Sequence, residues 1–313
     1  MELGASRADT VKLLRPTQAA VRHDDAVDRA LLFRYPTSEY CKAYWRLPLP
    51  IRLANYCVLP LVLITAAFAQ DIVTDCDKYA ASHLDPQRKA TGVDFDKIDF
   101  ALAVPACEDA VRQFPDGMRL AYQLGRAYQK ANKLTAAVEQ YRKAANQSYA
   151  AAQLALAELY ATGQGVVRDD QQYIFWARKA ADQGYAVAQD ALGYAYSDGR
   201  GVPKDDQQAA VWFRKAADQG YVPAQNRLGF MYQNGEGVPK DDQQAVAWFR
   251  KAADQGYAFA QYRLGAMYAN GEGVAKDDQQ AVVWFRKAAE QGNKEAKTKL
   301  DELESLQNAN GMR

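Results

Sequence analysis

Apolar and polar positions alternate along residues 183–218 in two strokes. Ala188, Leu192 and Tyr196 fall at helical spacing, and Gly199-Arg200-Gly201-Val202 then interrupts the pattern. Asp205-Asp206-Gln207-Gln208 reopens it, with Asp205 placed to cap free amides and Gln208 placed to reach back in a capping box. Ala209, Trp212, Phe213 and Ala216 follow on one stripe. The pattern predicts an α-hairpin, helix A then helix B, that cannot bury its apolar face alone. Gly193 lets helix A approach helix B, with Ala209 expected opposite it, while Trp212 and Phe213 fill the space between units.

The hairpin recurs. Trp176, Trp212, Trp248 and Trp284 stand 36 residues apart, and Gln147, Gln183, Gln219, Gln255 and Gln291 keep the same step. Segments 183–218 and 219–254 agree at 25 of 36 positions, and 219–254 and 255–290 at 28 of 36, which predicts stacked, near-identical units. Leu192-Gly193, Tyr196, Gly199-x-Gly201-Val202, Asp205, Ala209, Trp212-Phe213 and Lys215-Ala216-Ala217 resemble the Sel1-like repeat. Equivalents run from Leu228-Gly229 to Ala252-Ala253 and from Leu264-Gly265 to Ala288-Ala289. The resemblance implies an all-α fold, an α-solenoid superhelix of stacked Sel1-like and tetratricopeptide-like hairpins.

Four such units are expected, at 147–182, 183–218, 219–254 and 255–290. The first departs from the pattern: Ala157 replaces the helix A glycine, and Tyr173 with Ala177 reverses the order of Ala209 and Phe213, which roughly conserves volume. Upstream, Leu124-Gly125, Tyr128, Ala137, Tyr141 and Ala144 resemble the shorter tetratricopeptide repeat, over 116–146. Residues 70–115 read as a helical cap with a degenerate unit in which Ala103, Cys107 and Ala110 lie on a second helix that Pro105 must kink or start. Residues 291–313 read as a charged C-terminal cap and tail, with Asp301 where a glycine would stand.

The leading residues carry a different signal. Residues 53–69 are apolar, follow Arg46 and Arg52 and end in Ala67-Phe68-Ala69, so 46–69 reads as a signal peptide cut before Gln70. An uncleaved anchor is the alternative. Residues 1–45 show no such logic and are excluded from the fold; translation is expected to begin near residue 46. The mature chain would keep Cys76 and Cys107, an even pair that reads as a disulfide in a periplasmic or secreted protein, joining the first helix to the second. The rival is a metal site with His83 and nearby Asp residues, which lacks zinc-type spacing.

Composition narrows the chemistry. With 39 basic and 38 acidic residues, and a net of −2 beyond residue 69, there is no phosphate-neutralising stripe and no nucleic-acid partner is expected. Two histidines leave little room for histidine-based metal or triad chemistry. The G-x-G-V elements lack a third glycine or a G-K-[ST] ending and read as inter-helix turns; the Asp-Asp pairs read as caps rather than calcium ligands. No S-x-x-K, G-x-S-x-G or H-E-x-x-H occurs. Neither catalytic residues, a cofactor nor a metal is assigned.

Binding is the remaining function. Of the 11 differences between segments 183–218 and 219–254, nine fall between residues 186 and 200, so the units individuate along helix A. The resemblance implies that helix A lines a concave face, with Val187, Asp190, Tyr194 and Ser197 exposed on it in one unit and Pro223, Asn226, Phe230 and Gln233 in the next. Phe259, Tyr262, Ala266 and Ala269 continue the set. Tyr194, Phe230, Phe259 and Tyr262 would form an aromatic strip for a peptide or partner protein; the competing reading packs these rings between units. The expected function is an envelope interaction scaffold or adaptor, touching membrane only through its signal peptide. A β-lactam-binding envelope enzyme of the cysteine-rich Sel1-like type and a peptidoglycan or polysaccharide binder are the alternatives.

Overall fold

The structure, a computed structural model, describes residues 72–311, with side chains to residue 305. The signal segment and residues 1–45 lie outside the described residues. Thirteen α-helices and no strand occur among the described residues: α1 Asp75–Ala80, α2 Phe100–Gln113, α3 Met118–Lys130, α4 Leu134–Asn146, α5 Ala150–Thr162, α6 Asp170–Asp182, α7 Ala186–Asp198, α8 Asp206–Asp218, α9 Val222–Asn234, α10 Asp242–Asp254, α11 Ala258–Asn270, α12 Asp278–Glu290 and α13 Lys294–Gly311. Consecutive helices pack as pairs from α3 to α12, and each pair packs on the next. The fold is an α-solenoid. α2 runs through Pro105 and starts five residues before it, capped by Asp99.

Each hairpin is terminated by its glycines. Gly199 ends α7 in the left-handed region, φ 72°, where any Cβ is strained. Gly201 has a second job: a Cβ there would sit 2.3 Å from the Asp170 carbonyl, so this glycine lets the turn touch the start of the preceding unit's helix B. Asp205 then accepts from the Gln208 amide at 2.9 Å. The reciprocal bond from the Gln208 side chain is not made, so the cap is one-sided rather than a capping box.

Helix A and helix B meet through Phe213, not through Ala209. A Cβ on Gly193 would lie 2.6 Å from the Phe213 ring, and Gly229 and Gly265 stand in the same relation to Phe249 and Phe285. The ring needs more room than alanine, which is why the glycine is placed there. In the first 36-residue unit the same register sets Ala157 against Ala177, both fully buried. The methyl gained on one helix is offset by the ring lost from the other, and Tyr173 supplies volume one turn away.

Between units the repeated glutamines close a polar seam. Gln189 donates to the Ala181 carbonyl at the end of the preceding helix B, at 3.1 Å, and accepts from Gln219 at 2.7 Å. Gln225 and Gln261 repeat both bonds, and Gln153 repeats them one unit earlier. A helix end that would bury unpaired carbonyls is thereby satisfied. Arg214 and Arg250 bond the Tyr232 and Tyr268 hydroxyls of the next unit. At the start, Cys76 and Cys107 form a disulfide, with Cα atoms 4.5 Å apart, that ties α1 to α2. At the far end Ala296 and Leu300 of α13 cover the last apolar layer.

Candidate partner-binding face

Helix A positions of successive units share one register. Taking the residue that follows the helix A glycine or its equivalent, the series from α3 to α11 is Arg126, Glu158, Tyr194, Phe230 and Ala266. One turn earlier it is Tyr122, Leu154, Asp190, Asn226 and Tyr262. A third series, at the residue preceding each helix A from α5 onward, is Tyr149, Tyr185, Tyr221 and Tyr257.

The start of this face is occupied by the chain itself. After α1 the backbone leaves the solenoid path, and residues 81–99 cross helices A instead of forming a short turn. Arg126 donates to the carbonyls of Ala80 at 2.7 Å and Val93 at 2.9 Å. The Tyr149 hydroxyl donates to Asp85 Oδ2 at 2.5 Å, and the Tyr185 hydroxyl to the Leu84 carbonyl at 3.1 Å, although 101 residues separate that last pair. Beneath them Arg119 forms an ion pair with Asp77, and Gln123 donates to the same carboxylate. Asp77 and Asp85 are both fully buried. A buried carboxylate with this many donors is held in place by its partners.

A cavity of about 330 Å³ remains between this segment and helices A, lined by His83, Asp94, Tyr122, Arg126, Tyr141 and Glu158 among others. Glu158 reaches solvent at the cavity mouth, yet protein encloses it on most sides and desolvation pushes its carboxyl up to about 7. Burial likewise pushes Asp190 up to about 7. Burial also raises the Tyr149, Tyr185 and Tyr221 hydroxyls, the last to about 12, with the nearby carboxylates adding to it.

The residues expected on the exposed strip divide. Tyr194 is 42% exposed and Phe259 60% exposed. Val187, Pro223, Asn226, Phe230, Gln233 and Tyr262 are half-buried, with Ala266 and Ala269. Asp190 and Ser197 are buried, because adjacent helices A stack closely there and Arg227 of the next unit bonds Ser197 Oγ at 3.3 Å. The rings do not stand free either. Tyr194, Phe230 and Tyr262 each pack against the helix B phenylalanine of their own unit, with centroids 5.0–5.8 Å apart, and Arg263 lies over Phe230 at 4.6 Å. Their outer edges stay accessible while their inner edges are core. The crossing segment was invisible to periodicity. The tyrosine series was visible as a repeat, but nothing in its spacing said what the hydroxyls would bond.

Among the described residues no three His, Cys, Asp or Glu side chains converge as metal ligands, and no helix is long and apolar enough to cross a membrane. The family model described as Sel1 repeat matches residues 118–149, 150–185, 186–221, 222–257 and 258–293, starting each unit at helix A rather than at the glutamine before it. The chain is similar to the structure of c5321, a protective antigen of uropathogenic Escherichia coli strains with an SLR fold, at 36% identity and TM-score 0.60. That match covers 65% of this chain and 44% of the other. A Sel1 repeat protein from Oxalobacter formigenes is similar at 36% identity and TM-score 0.60, over 66% of this chain and 60% of that one. The chain therefore spans less than two thirds of either structure. No curated protein matches the sequence.

Proposed function

The chain belongs to the Sel1-repeat family, whose folds commonly serve protein–protein interaction, and from that premise we propose a non-enzymatic scaffold or adaptor that binds a partner protein along helices A. One observation carries the reading. Residues 80–93 lie on the first part of that face and are held there by Arg126, Tyr149 and Tyr185, two of the three through main-chain carbonyls. Side chains that bond main-chain carbonyls recognise an extended segment largely without regard to its sequence. The same tyrosine series continues to Tyr221 and Tyr257, beyond the reach of the crossing segment among the described residues. Action outside the cytoplasm, in the cell envelope or after secretion, accords with the Cys76–Cys107 disulfide.

The test contrasts two faces in intact cells. A photo-cross-linking residue placed at Tyr194, on helix A, should trap a discrete partner; the same residue at Val211, exposed on helix B, should not. Phe230→Ala and Trp212→Ala then separate binding from folding. Trp212 is 94% buried between units, so its loss should cost roughly 3 to 5 kcal/mol. Phe230→Ala should cost about 1 to 2 kcal/mol, since half the ring is packed, while removing a larger share of partner affinity. Trapping from Val211 and not from Tyr194 would sink the assignment.

A further inference from the structure

The covered and open parts of the face differ in how their polar atoms are satisfied. In the covered part the register residue Tyr122 lies beside Ser82, and Arg126, Tyr149 and Tyr185 each bond the crossing segment. In the open part Asp190 is 92% buried, and its Oδ1 has no hydrogen-bond partner. Asn226, at the same register in the next unit, has a buried Oδ1 in the same condition. Both atoms are acceptors. An unpaired buried acceptor costs free energy that a donor from a bound molecule would recover.

Charge sharpens the chemistry. Glu158 and Asp190 both lie within electrostatic reach of the Tyr173 and Tyr221 hydroxyls, and Tyr194 feels Asp190 as well. Among the described residues no cation pairs with either carboxylate. Arg126, which shares the cavity with Glu158, is committed to the Ala80 and Val93 carbonyls. Arg227 bonds Glu236 and Ser197 through Nη2 while its buried Nε has no partner, and Arg200 is committed to Asp170 and the Ala161 carbonyl. Two unpaired carboxylates among tyrosine rings match a protonated amine or guanidinium, which gains both ion pairing and contact with aromatic faces.

We infer that the open part of the helix-A face receives an extended segment of a partner protein whose lysine or arginine side chain is taken by Asp190, with Glu158 at the edge of the covered part adding negative charge, Asn226 accepting a further N–H and the Tyr221 and Tyr257 hydroxyls donating to its carbonyls. The inference rests on the scaffold reading above and adds the class of side chain recognised. The chain's own cover shows the same mode in miniature: the carbonyls of Ala80 at the end of α1 and of Leu84 and Val93 in the crossing segment are bonded by Arg126 and Tyr185.

The probes are labelled peptides acetyl-Gly-Ala-X-Ala-Gly-amide with X as Lys, Arg, Gln or Glu, titrated into the full chain and followed by anisotropy and by NMR of the carboxyl carbons. The Lys and Arg peptides should bind at least about tenfold tighter than the Gln peptide, and the Glu peptide weakest. Asp190→Asn should remove most of that preference and Glu158→Gln a smaller part, each leaving the Gln peptide unchanged. The Lys peptide should also pull the Asp190 carboxyl down from about 7 toward the ordinary range, a readout that needs no variant to fold. Peptides that perturb Tyr194 and Phe230 equally whatever X is would overturn the inference and leave the scaffold reading standing. Peptides that perturb no residue of this face, together with partner trapping from Val211, would overturn both.

Discussion

The helix-A face up to Tyr185 and the face beyond it are built on the same register, yet among the described residues the crossing segment covers the first and not the second. In the first, Arg119, Arg126, Tyr149 and Tyr185 direct their polar atoms to residues 72–93. In the second, Asp190 and Asn226 keep buried acceptors without donors, and Tyr221 and Tyr257 sit where Tyr149 and Tyr185 sat. A solenoid repeats its scaffold cheaply, because each unit needs only its neighbours. The difference teaches that helix B and the seams preserve stacking, whereas the helix-A face carries whatever each unit must hold.

The largest test breaks the cover. Arg119→Ala would strand Asp77, which is fully buried, with only Gln123 and the α1 cap as remaining partners. Removing one member of a buried pair costs roughly 3 to 5 kcal/mol. Hydrogen exchange should show the loss confined to α1, α2 and the crossing segment, with α9 to α12 unaffected. An equal loss in α9 to α12 would show that the two parts are one cooperative block.

Next comes the disulfide. Cys107→Ser opens a cross-link between residues 31 apart, worth roughly 3 to 4 kcal/mol in the chain-entropy model. The expected result is early opening of α1 from α2, read as ready alkylation of the freed Cys76 thiol in the folded variant, with the melting of the later units unchanged. A freed Cys76 thiol that stays unreactive until the whole chain unfolds would mean that the Asp77–Arg119 pair alone holds α1.

How much of this contrast could be read from sequence follows from what each part uses. Helix pairs, the glycine turns and the Asp caps follow from local periodicity and backbone chemistry, so Gly199, Asp205 and Trp212 announce themselves. Phe213 rather than Ala209 opposite Gly193 depends on how two helices rotate about their axes, which spacing does not fix. The path of residues 81–99 depends on single contacts such as Leu84 with Tyr185, at a separation no periodicity reports. The burial of Asp190 and Ser197 comes from the next unit leaning over them, whereas the helix wheel of one unit leaves both on an open stripe.

The open part makes a pH-dependent prediction of its own. Asp190 has a folded value of about 7 against an unfolded value near 3.9, so between them the native state holds a proton that the unfolded chain has lost. Its contribution is complete below about pH 4 and is lost as pH rises through about 7. Asp190→Asn should therefore gain stability over the parent as pH rises from 4 to 8, by on the order of 2 kcal/mol after local relaxation. Glu158→Gln should move the same way by less, because Glu158 keeps solvent contact. Stability curves for parent and Asp190→Asn that run parallel across this range would mean that the carboxyl is paired in solution.

The smallest effect discriminates best between covered and open, because it compares one atom at equivalent places. Tyr185→Phe deletes a hydroxyl that donates to the Leu84 carbonyl, and Tyr221→Phe deletes the equivalent hydroxyl, which has no acceptor among the described residues. A net hydrogen bond of this kind contributes about 0.5 to 1.5 kcal/mol. Tyr185→Phe should lose that amount, and hydrogen exchange should quicken at residues 82–88. Tyr221→Phe should leave stability unchanged within a few tenths of a kcal/mol, or raise it slightly, since a partly buried hydroxyl without a partner is a cost that phenylalanine removes. In the presence of a bound segment the order reverses: Tyr221→Phe should weaken binding and Tyr185→Phe should not. If Tyr221→Phe destabilises the free chain as much as Tyr185→Phe does, the Tyr221 hydroxyl already has an intramolecular acceptor, and the open face is closed by the protein itself.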